Sequence, residues 1–304
     1  MRKPRLENLT FENMPFPEDV IVETYAHCNL RCIMCPYPVL KRAKGEMDFA
    51  VFTKIADEMA RENPDGRLWV AILGEPLLGK NLVKMLFYAR DKGVRKIHLN
   101  TNATFLTQEK TRELLDCGID ILLVSLDACT KETYDKIRIG GDFPAVIKNL
   151  EYFLAEKKRL GLQKPDVIAQ FIVMEQNEHE VEEFKKYWLE KGAIVKIRIK
   201  MGWGNAVKAE DLAAADIERN FPCPWLLRSV SIHWDGKFAQ CDADYEAQYS
   251  PGDINFQTIK EVWDGELAKR RERNWALDFS HAPCDTCKDW SVGRAEFYYP
   301  QKEK

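Results

Sequence analysis

Seven of the nine cysteines fall into two sets whose spacing could hold metal. Cys28, Cys32 and Cys35 lie within the eleven-residue stretch AHCNLRCIMCP. Three thiolates are one ligand short of a closed tetrahedral zinc site. They suit three irons of a cubane [4Fe–4S] cluster, which leaves the fourth iron open to an exchangeable ligand. Cys223, Cys241, Cys284 and Cys287 are spaced Cys-x17-Cys-x42-Cys-x2-Cys. Four thiolates could saturate a second cluster, or close a structural zinc site with the same ligands. The two cysteines left over, Cys117 and Cys129, read as small buried hydrophobes.

The bulk of the sequence bounds what these sets can mean. A chain of 304 residues can bury a large α/β core and carry a smaller appendage. A net charge of −3 gives no electrostatic case for nucleic acid or an anionic membrane surface. The first twenty residues contain no apolar core of a signal peptide, and no apolar run reaches the roughly 18 residues a membrane helix needs. The expectation is a cytoplasmic protein without membrane or nucleic-acid partners. In a reducing compartment clustered cysteines are metal ligands or catalytic groups rather than disulfides.

The elements that must position the cysteines are legible as alternating strand and helix patterns. DVIVETYA (19–26) reads as a strand running directly into the first cysteine set. Phe49, Phe52, Ile55, Ala56 and Met59 share one helix face. RLWVAILG, RKIHLNTN, IDILLVSLD, DVIAQFIVM and IVKIRIK read as five more strands. Helices lie between them, and Gly93 and Gly118 suit helix ends. Six such units in series imply a parallel sheet with helices outside. Six is too few for an ordinary closed eight-stranded barrel, so the expected shape is an open, partial (β/α)6 barrel. Its active face should be the C-terminal ends of the strands, where the first cysteine set sits. The division expected is 1–205 for the barrel and 206–304 for a linker (201–220 by its register change) and a small cysteine-bearing module. That module carries a hairpin signal, SVSIHW-DG-KFAQC, followed by one helix, QTIKEVWDGELAKRRERN.

Cys-x3-Cys-x2-Cys on a loop after the first strand resembles the radical S-adenosylmethionine (SAM) superfamily, and other segments follow in the order that resemblance requires. LGEPLL, containing Gly74 and Glu75, looks like the Gly-Gly-Glu segment whose backbone receives the SAM amino group, with Leu73 in place of the first glycine. TNAT with Asn102, and VSLDA with Ser125, resemble SAM-lining segments. ETYDKIR places Arg138 where related enzymes carry an arginine for the SAM carboxylate. Met34 stands where family members often have an aromatic residue near the adenine, and Tyr37 is the neighbour that could assist. The C-terminal cysteines resemble the SPASM/twitch auxiliary-cluster extension, in its short, one-cluster form.

The resemblance implies SAM and two [4Fe–4S] clusters as cofactors, with a flavodoxin- or ferredoxin-like reductant as electron donor. It implies a 5′-deoxyadenosyl radical that abstracts hydrogen from the substrate. The cysteine spacing is most similar to the aminocyclitol (2-deoxy-scyllo-inosamine) dehydrogenases. This favours oxidation of a secondary alcohol on a small sugar or cyclitol, with the second cluster accepting an electron. The alternatives are peptide or protein modification, and redox-neutral epimerisation, dehydration or decarboxylation. A non-catalytic zinc scaffold leaves the ordered SAM-lining segments unexplained. Asp242, beside Cys241, is the candidate base for the hydroxyl proton, by analogy with the sulfatase-maturing enzymes; Asp244 and Glu246 are nearby alternatives. Lys196, Arg198 and Lys200 alternate along the sixth strand, either into the barrel mouth or out to solvent on an edge. Two cubanes require about eight irons per chain, falling to about four when Cys28, Cys32 and Cys35 are all changed to alanine. Iron and acid-labile sulfide analysis after anaerobic reconstitution checks both numbers.

Overall fold

The computed structural model describes residues 14–208, 219, 221–291 and 295–301. Much of the expected linker, 209–218 and 220, lies outside the described residues. Six parallel strands run in sequence order: β1 (Asp19–Val22), β2 (Arg67–Val70), β3 (Lys96–Thr101), β4 (Ile121–Ser125), β5 (Asp166–Val173) and β6 (Ile194–Ile199). Between them come α1 (Phe49–Glu62), α2 (Leu82–Lys92), α3 (Gln108–Asp116), α4 (Lys131–Ile137), α5 (Phe143–Arg159) and α6 (Val181–Glu190).

The C-terminal residues extend the same sheet at both edges. β7 (Ser229–Ile232) pairs parallel to β1, and β8 (Phe238–Ala239) returns against β7 across the Asp235–Gly236 turn. β9 (Ala295–Tyr298) pairs antiparallel to β6. The order is β8-β7-β1-β2-β3-β4-β5-β6-β9. Among the described residues no ladder joins β8 to β9, so the α/β barrel stays partial. The single expected C-terminal helix is two, α8 (Ile259–Asp264) and α9 (Glu266–Trp275), broken at Gly265. Gly265 turns with φ −93° and ψ −106°, and a Cβ there would lie 2.6 Å from the Glu261 carbonyl oxygen. α7 (Pro224–Arg228) is a single short turn leading into β7.

Strand residues alternate between two environments, as the two-residue period of a strand requires. Val20, Val22, Leu68, Val70, Ile97, Leu99, Leu122, Val124, Val167, Ala169 and Phe171 face the helices and form one buried core with them. The alternate residues face inward. At the lower end Asp19 takes hydrogen bonds from Arg67 and from Trp69 Nε1 (3.1 Å), and Trp69 stands edge-on to His98 at 4.3 Å. Burial lowers the His98 pKa to about 4, so this floor histidine is neutral at physiological pH. Higher up, the inward row is Ser125, Gln170 and Lys196, in register across β4, β5 and β6.

Helix starts are capped locally. Asp48, Thr107, Thr130 and Asp142 each accept a backbone N–H at the start of α1, α3, α4 and α5. Thr258 and Glu261 make a reciprocal capping box on α8. That helix start also receives a side chain from the barrel. Buried Glu58 on α1 accepts from Ile259 N (2.7 Å) and Lys260 N (2.8 Å). Glu58→Ala leaves both N–H groups without their charged acceptor. It should cost about 2 kcal/mol, read as a lower urea midpoint with an unchanged m value. A loss below about 0.5 kcal/mol would mean that water replaces the carboxylate.

Candidate active site

The first cysteine set occupies the loop that leaves β1 at the C-terminal end of the sheet. Backbone bonds pin this loop to the segment after α4: Arg31 N donates to Ile139 O (2.9 Å) and Ile33 N to Ile137 O (3.0 Å). Cys28 N donates to the buried Tyr37 hydroxyl at 2.9 Å, and Trp203 Nε1 donates to Met34 O at 3.1 Å. Tyr37 thereby fixes the loop itself, with Arg31 and Lys44 stacked over its ring at 4.9 and 4.4 Å. Met34 is buried among Leu30, Ile137, Ile172 and Met174.

The three thiols are brought together. Cys32 raises the pKa of Cys28, Cys32 and Cys28 raise that of Cys35, and Cys35 N donates to Cys32 O. Burial pushes Cys28 to about 11 and Cys35 to about 12, with Cys32 also raised. Such thiols stay protonated at neutral pH until a cation compensates them, so iron binding releases their protons. Leu30 N and Tyr37 N point at the sulfurs of Cys28 (3.4 Å) and Cys35 (3.5 Å). Amide N–H groups aimed at sulfur are a feature that tunes iron–sulfur centres. The donor set fits a [4Fe–4S] cluster held by Cys28, Cys32 and Cys35.

The segments after β2, β3 and β4 surround this loop. Gly74 has φ +84°, and a Cβ there would lie 1.9 Å from the Tyr25 carbonyl oxygen, so only glycine fits. Glu75 is fully enclosed. It accepts from Thr101 Oγ1 (2.7 Å), Asn102 N (2.7 Å) and Leu77 N (3.1 Å). Its carboxylate thus ties the β2 loop to the β3 loop. Asn102 Nδ2 donates to Asn29 Oδ1 (3.0 Å) and lies 4.0 Å from Cys28 Sγ. Ser125 Oγ accepts from Gln170 Nε2 at 3.4 Å.

Arg138 is buried and divides its guanidinium. Nε donates to Asp127 Oδ2 (2.9 Å), Nη2 donates to the same oxygen, and Nη1 lies 3.8 Å from Cys32 Sγ. Burial opposes its charge, but Asp127 and Cys32 more than compensate and raise its pKa. Asp127 was not singled out by sequence, although VSLDA contains it. It is wholly buried at φ +64°, and its other oxygen accepts from Ile172 N at 2.7 Å. A positive φ at a non-glycine residue, beside a strand end, is the structural mark of its role.

The second cysteine set also converges. Cys223, Cys284 and Cys287 all act on Cys241, whose pKa is raised well above the ordinary value, mainly by burial. Cys223 N and O bind the Asn274 side chain at 2.9 and 3.1 Å, and Gln240 Nε2 lies 3.5 Å from Cys284 Sγ. Among the described residues no three His, Cys, Asp or Glu side chains close on a single ion. The four thiols, Cys223 buried and the others half-buried, are nevertheless near enough to interact electrostatically, and they fit a multi-iron centre by the same argument of uncompensated thiol burial.

The three candidate bases separate clearly. Asp244 is consumed by backbone, accepting from Gln240 N, Gln248 N and Tyr249 N. Glu246 accepts from Lys41 N (2.8 Å) and Arg42 N (2.9 Å), so it joins the C-terminal module to the cysteine loop. Asp242 accepts only from Ser231 Oγ, on the inner face of β7, and its other oxygen has no hydrogen bond among the described residues. Burial raises its pKa to about 6, with the Ser231 hydroxyl pulling it down. Its charged neighbours are Asp19 and Arg228, and it does not touch Ser125, Asn102 or Arg138.

This fold and these thiol sets define a class. The Radical SAM superfamily model matches residues 22–187, and the SPASM iron–sulfur cluster-binding domain matches 223–289. The chain belongs to the radical SAM superfamily. It is an enzyme that uses SAM and a [4Fe–4S] cluster, with additional iron–sulfur binding in its C-terminal part.

Among its relatives, the tungsten-containing aldehyde ferredoxin oxidoreductase cofactor-modifying protein of Pyrococcus furiosus is 27% identical over 175 residues, 56% of this chain and 48% of that one. The S-adenosyl-L-methionine-dependent 2-deoxy-scyllo-inosamine dehydrogenase of Niallia circulans is 32% identical over 132 residues, 41% of this chain and 52% of that one. The chain spans about half the length of the curated relatives it matches. The crystal structure of BtrN in complex with AdoMet and 2-DOIA superposes with a TM-score of 0.63 at 20% identity, covering 92% of this chain and 96% of that one. At that identity the likeness establishes the fold. Among the described residues no helix is long and apolar enough to cross a membrane.

Asp127→Asn should destabilise the protein by about 3–5 kcal/mol, because it leaves Arg138 as a buried charge with a weakened partner. Denaturant unfolding of the reconstituted protein measures this. A change within about 0.5 kcal/mol would mean that Cys32 carries the compensation alone.

Proposed function

We propose that this enzyme oxidises a secondary alcohol of a small hydroxylated metabolite, a sugar or aminocyclitol, to a ketone. When bound, SAM and a cluster held by Cys28, Cys32 and Cys35 would supply the radical chemistry that removes a hydrogen atom, and a cluster held by Cys223, Cys241, Cys284 and Cys287 would supply the acceptor for the remaining electron. The balance is one hydrogen atom, one proton and one electron per carbonyl formed. The protein's own part is to hold the substrate and to take the proton. The observation that carries the reading is Asp242. It adjoins a ligand of the auxiliary set, lies on the inner side of the sheet and keeps one carboxylate oxygen unengaged. A group with a pKa of about 6 is mostly ionised at pH 7 and basic enough to accept a hydroxyl proton.

On this reading Gly74, Asn102 and Ser125 line the SAM site. Glu75 holds two of the lining loops together. Tyr37 and Arg138 position the cysteine loop. The electron donor is a flavodoxin- or ferredoxin-like protein, and the enzyme works in the cytoplasm. The residues 206–304 supply the electron acceptor and the base, and 1–205 the SAM chemistry.

A panel of sugars and cyclitols, assayed anaerobically, tests the reading through the ratio of 5′-deoxyadenosine to ketone. Equal amounts are expected. Turnover with no oxidised product would replace it by redox-neutral chemistry. Asp242→Asn should keep both clusters and the cleavage of SAM while lowering ketone formation 10²-fold or more. An unchanged rate would remove Asp242 as the base.

A further inference from the structure

We propose that the inner face of β6 is an anion-binding subsite, and that the substrate presents a carboxylate or phosphate group to Lys196 and Arg198. The substrate half of this statement rests on the small-metabolite reading above; the subsite does not.

The two cations are two residues apart on one strand, so they share a face with Cα atoms roughly 6.6 Å apart. They are not on a solvated edge, because β9 covers that edge and places Phe297 opposite Lys196. The Lys196 ammonium lies 5.8 Å from the centre of the Phe297 ring. On the other side Gln170 stands in register with Lys196, and Ser125 with Gln170. Arg198 Nε donates to Gln170 Oε1 at 3.2 Å, and Gln170 Nε2 donates on to Ser125 Oγ. The cations therefore end a polar row that begins at a residue proposed to line the SAM site.

What the row lacks is a carboxylate. The other arginines of the barrel interior are paired: Arg42 with Glu23, Arg67 with Asp19, Arg138 with Asp127. Neither Lys196 nor Arg198 makes an ion pair among the described residues. Two acids are near enough to influence Arg198, Asp127 and Asp289, and both are spoken for. Asp127 accepts from Arg138 and Ile172 N. Asp289 accepts from Gly202 N (2.6 Å) and Gly204 N (2.8 Å). Two like charges enclosed side by side disfavour one another, and burial together with Arg198 lowers the Lys196 pKa to about 7. A bound anion offsets both effects. The guanidinium offers a planar fork and the ammonium a movable point charge, a combination suited to carboxylate or phosphate.

The same chemistry could come from the carboxylate of SAM, and the test separates the two sources. Melting of the reconstituted holoenzyme is followed in inorganic phosphate and in chloride at equal ionic strength, with and without saturating SAM. Ligand binding to the folded state raises the midpoint. Phosphate should raise it in the wild type and in Lys196→Arg, with SAM present as well as absent. Lys196→Met and Arg198→Gln should lose the response, and Lys196→Met should bind SAM within about twofold of wild type by calorimetry. No advantage of phosphate over chloride, or an equal advantage in both charge-removing variants, overturns the subsite. A phosphate response abolished by SAM, with a tenfold or greater loss of SAM affinity in Lys196→Met, overturns the substrate assignment and gives these cations to SAM. Because phosphate binding needs no turnover, failure of the alcohol-oxidation reading leaves this result intact.

Discussion

The ion pair of Arg138 with Asp127 is the interaction on which the site's geometry depends. Asp127 holds the end of β5 through Ile172 N, and its carbonyl oxygen accepts from Asn177 Nδ2 at 2.9 Å. Arg138 ends α4 and faces a cluster cysteine. One buried carboxylate thus fixes the relative positions of β4, β5, α4 and the cysteine loop. Its burial is tolerable because both carboxylate oxygens have donors and the charge has a partner, which is the condition under which an enclosed charge is kept. The charge that remains on Arg138 points at sulfur. There it favours thiolate over thiol, and the ion pair is connected to the metal site as well as to the fold.

A second connection makes the C-terminal module part of the same machine. Arg42, seven residues past Cys35, makes a two-pronged pair with the buried Glu23 (2.8 and 2.6 Å) and donates to Tyr245 O (2.7 Å). Glu246 returns the contact through two backbone N–H groups of the loop. From the other end, Trp203 reaches back from beyond β6 to Met34. The cysteine loop is therefore held by residues from both ends of the chain. These bonds tie the segment that carries Cys241 to the loop that carries Cys28, Cys32 and Cys35.

The interior is also sorted by charge. The floor joins Asp19 to Arg67 and Trp69, and neutral His98 packs there against the indole. The β7 side carries an acid, Asp242, and the β6 side carries cations, Lys196 and Arg198. The acid and the two cations thus lie toward opposite ends of the strand order.

The sequence by itself determined the class of fold, the two thiol sets and the order of the segments around them. Alternation and helical periodicity mark the elements, and the Cys-x3-Cys-x2-Cys spacing carries the resemblance that assigns the first set. It also named Gly74, whose backbone conformation only glycine accepts. The tertiary structure decided the rest. CDADYEAQ offers Asp242 first and Asp244 and Glu246 as alternatives, and among the described residues only Asp242 keeps an oxygen without a hydrogen bond while the others accept from backbone donors. Lys196 and Arg198 read equally well as an exposed edge until β9, about a hundred residues later, closes that edge. The break of the last helix pair falls at Gly265, a helix-weakening residue whose turn conformation leaves no room for a Cβ beside the Glu261 carbonyl. The acids and the cations share one physical reason. Whether a polar group is available for chemistry depends on which donors and acceptors from distant parts of the chain have already satisfied it, and only the folded structure brings those together.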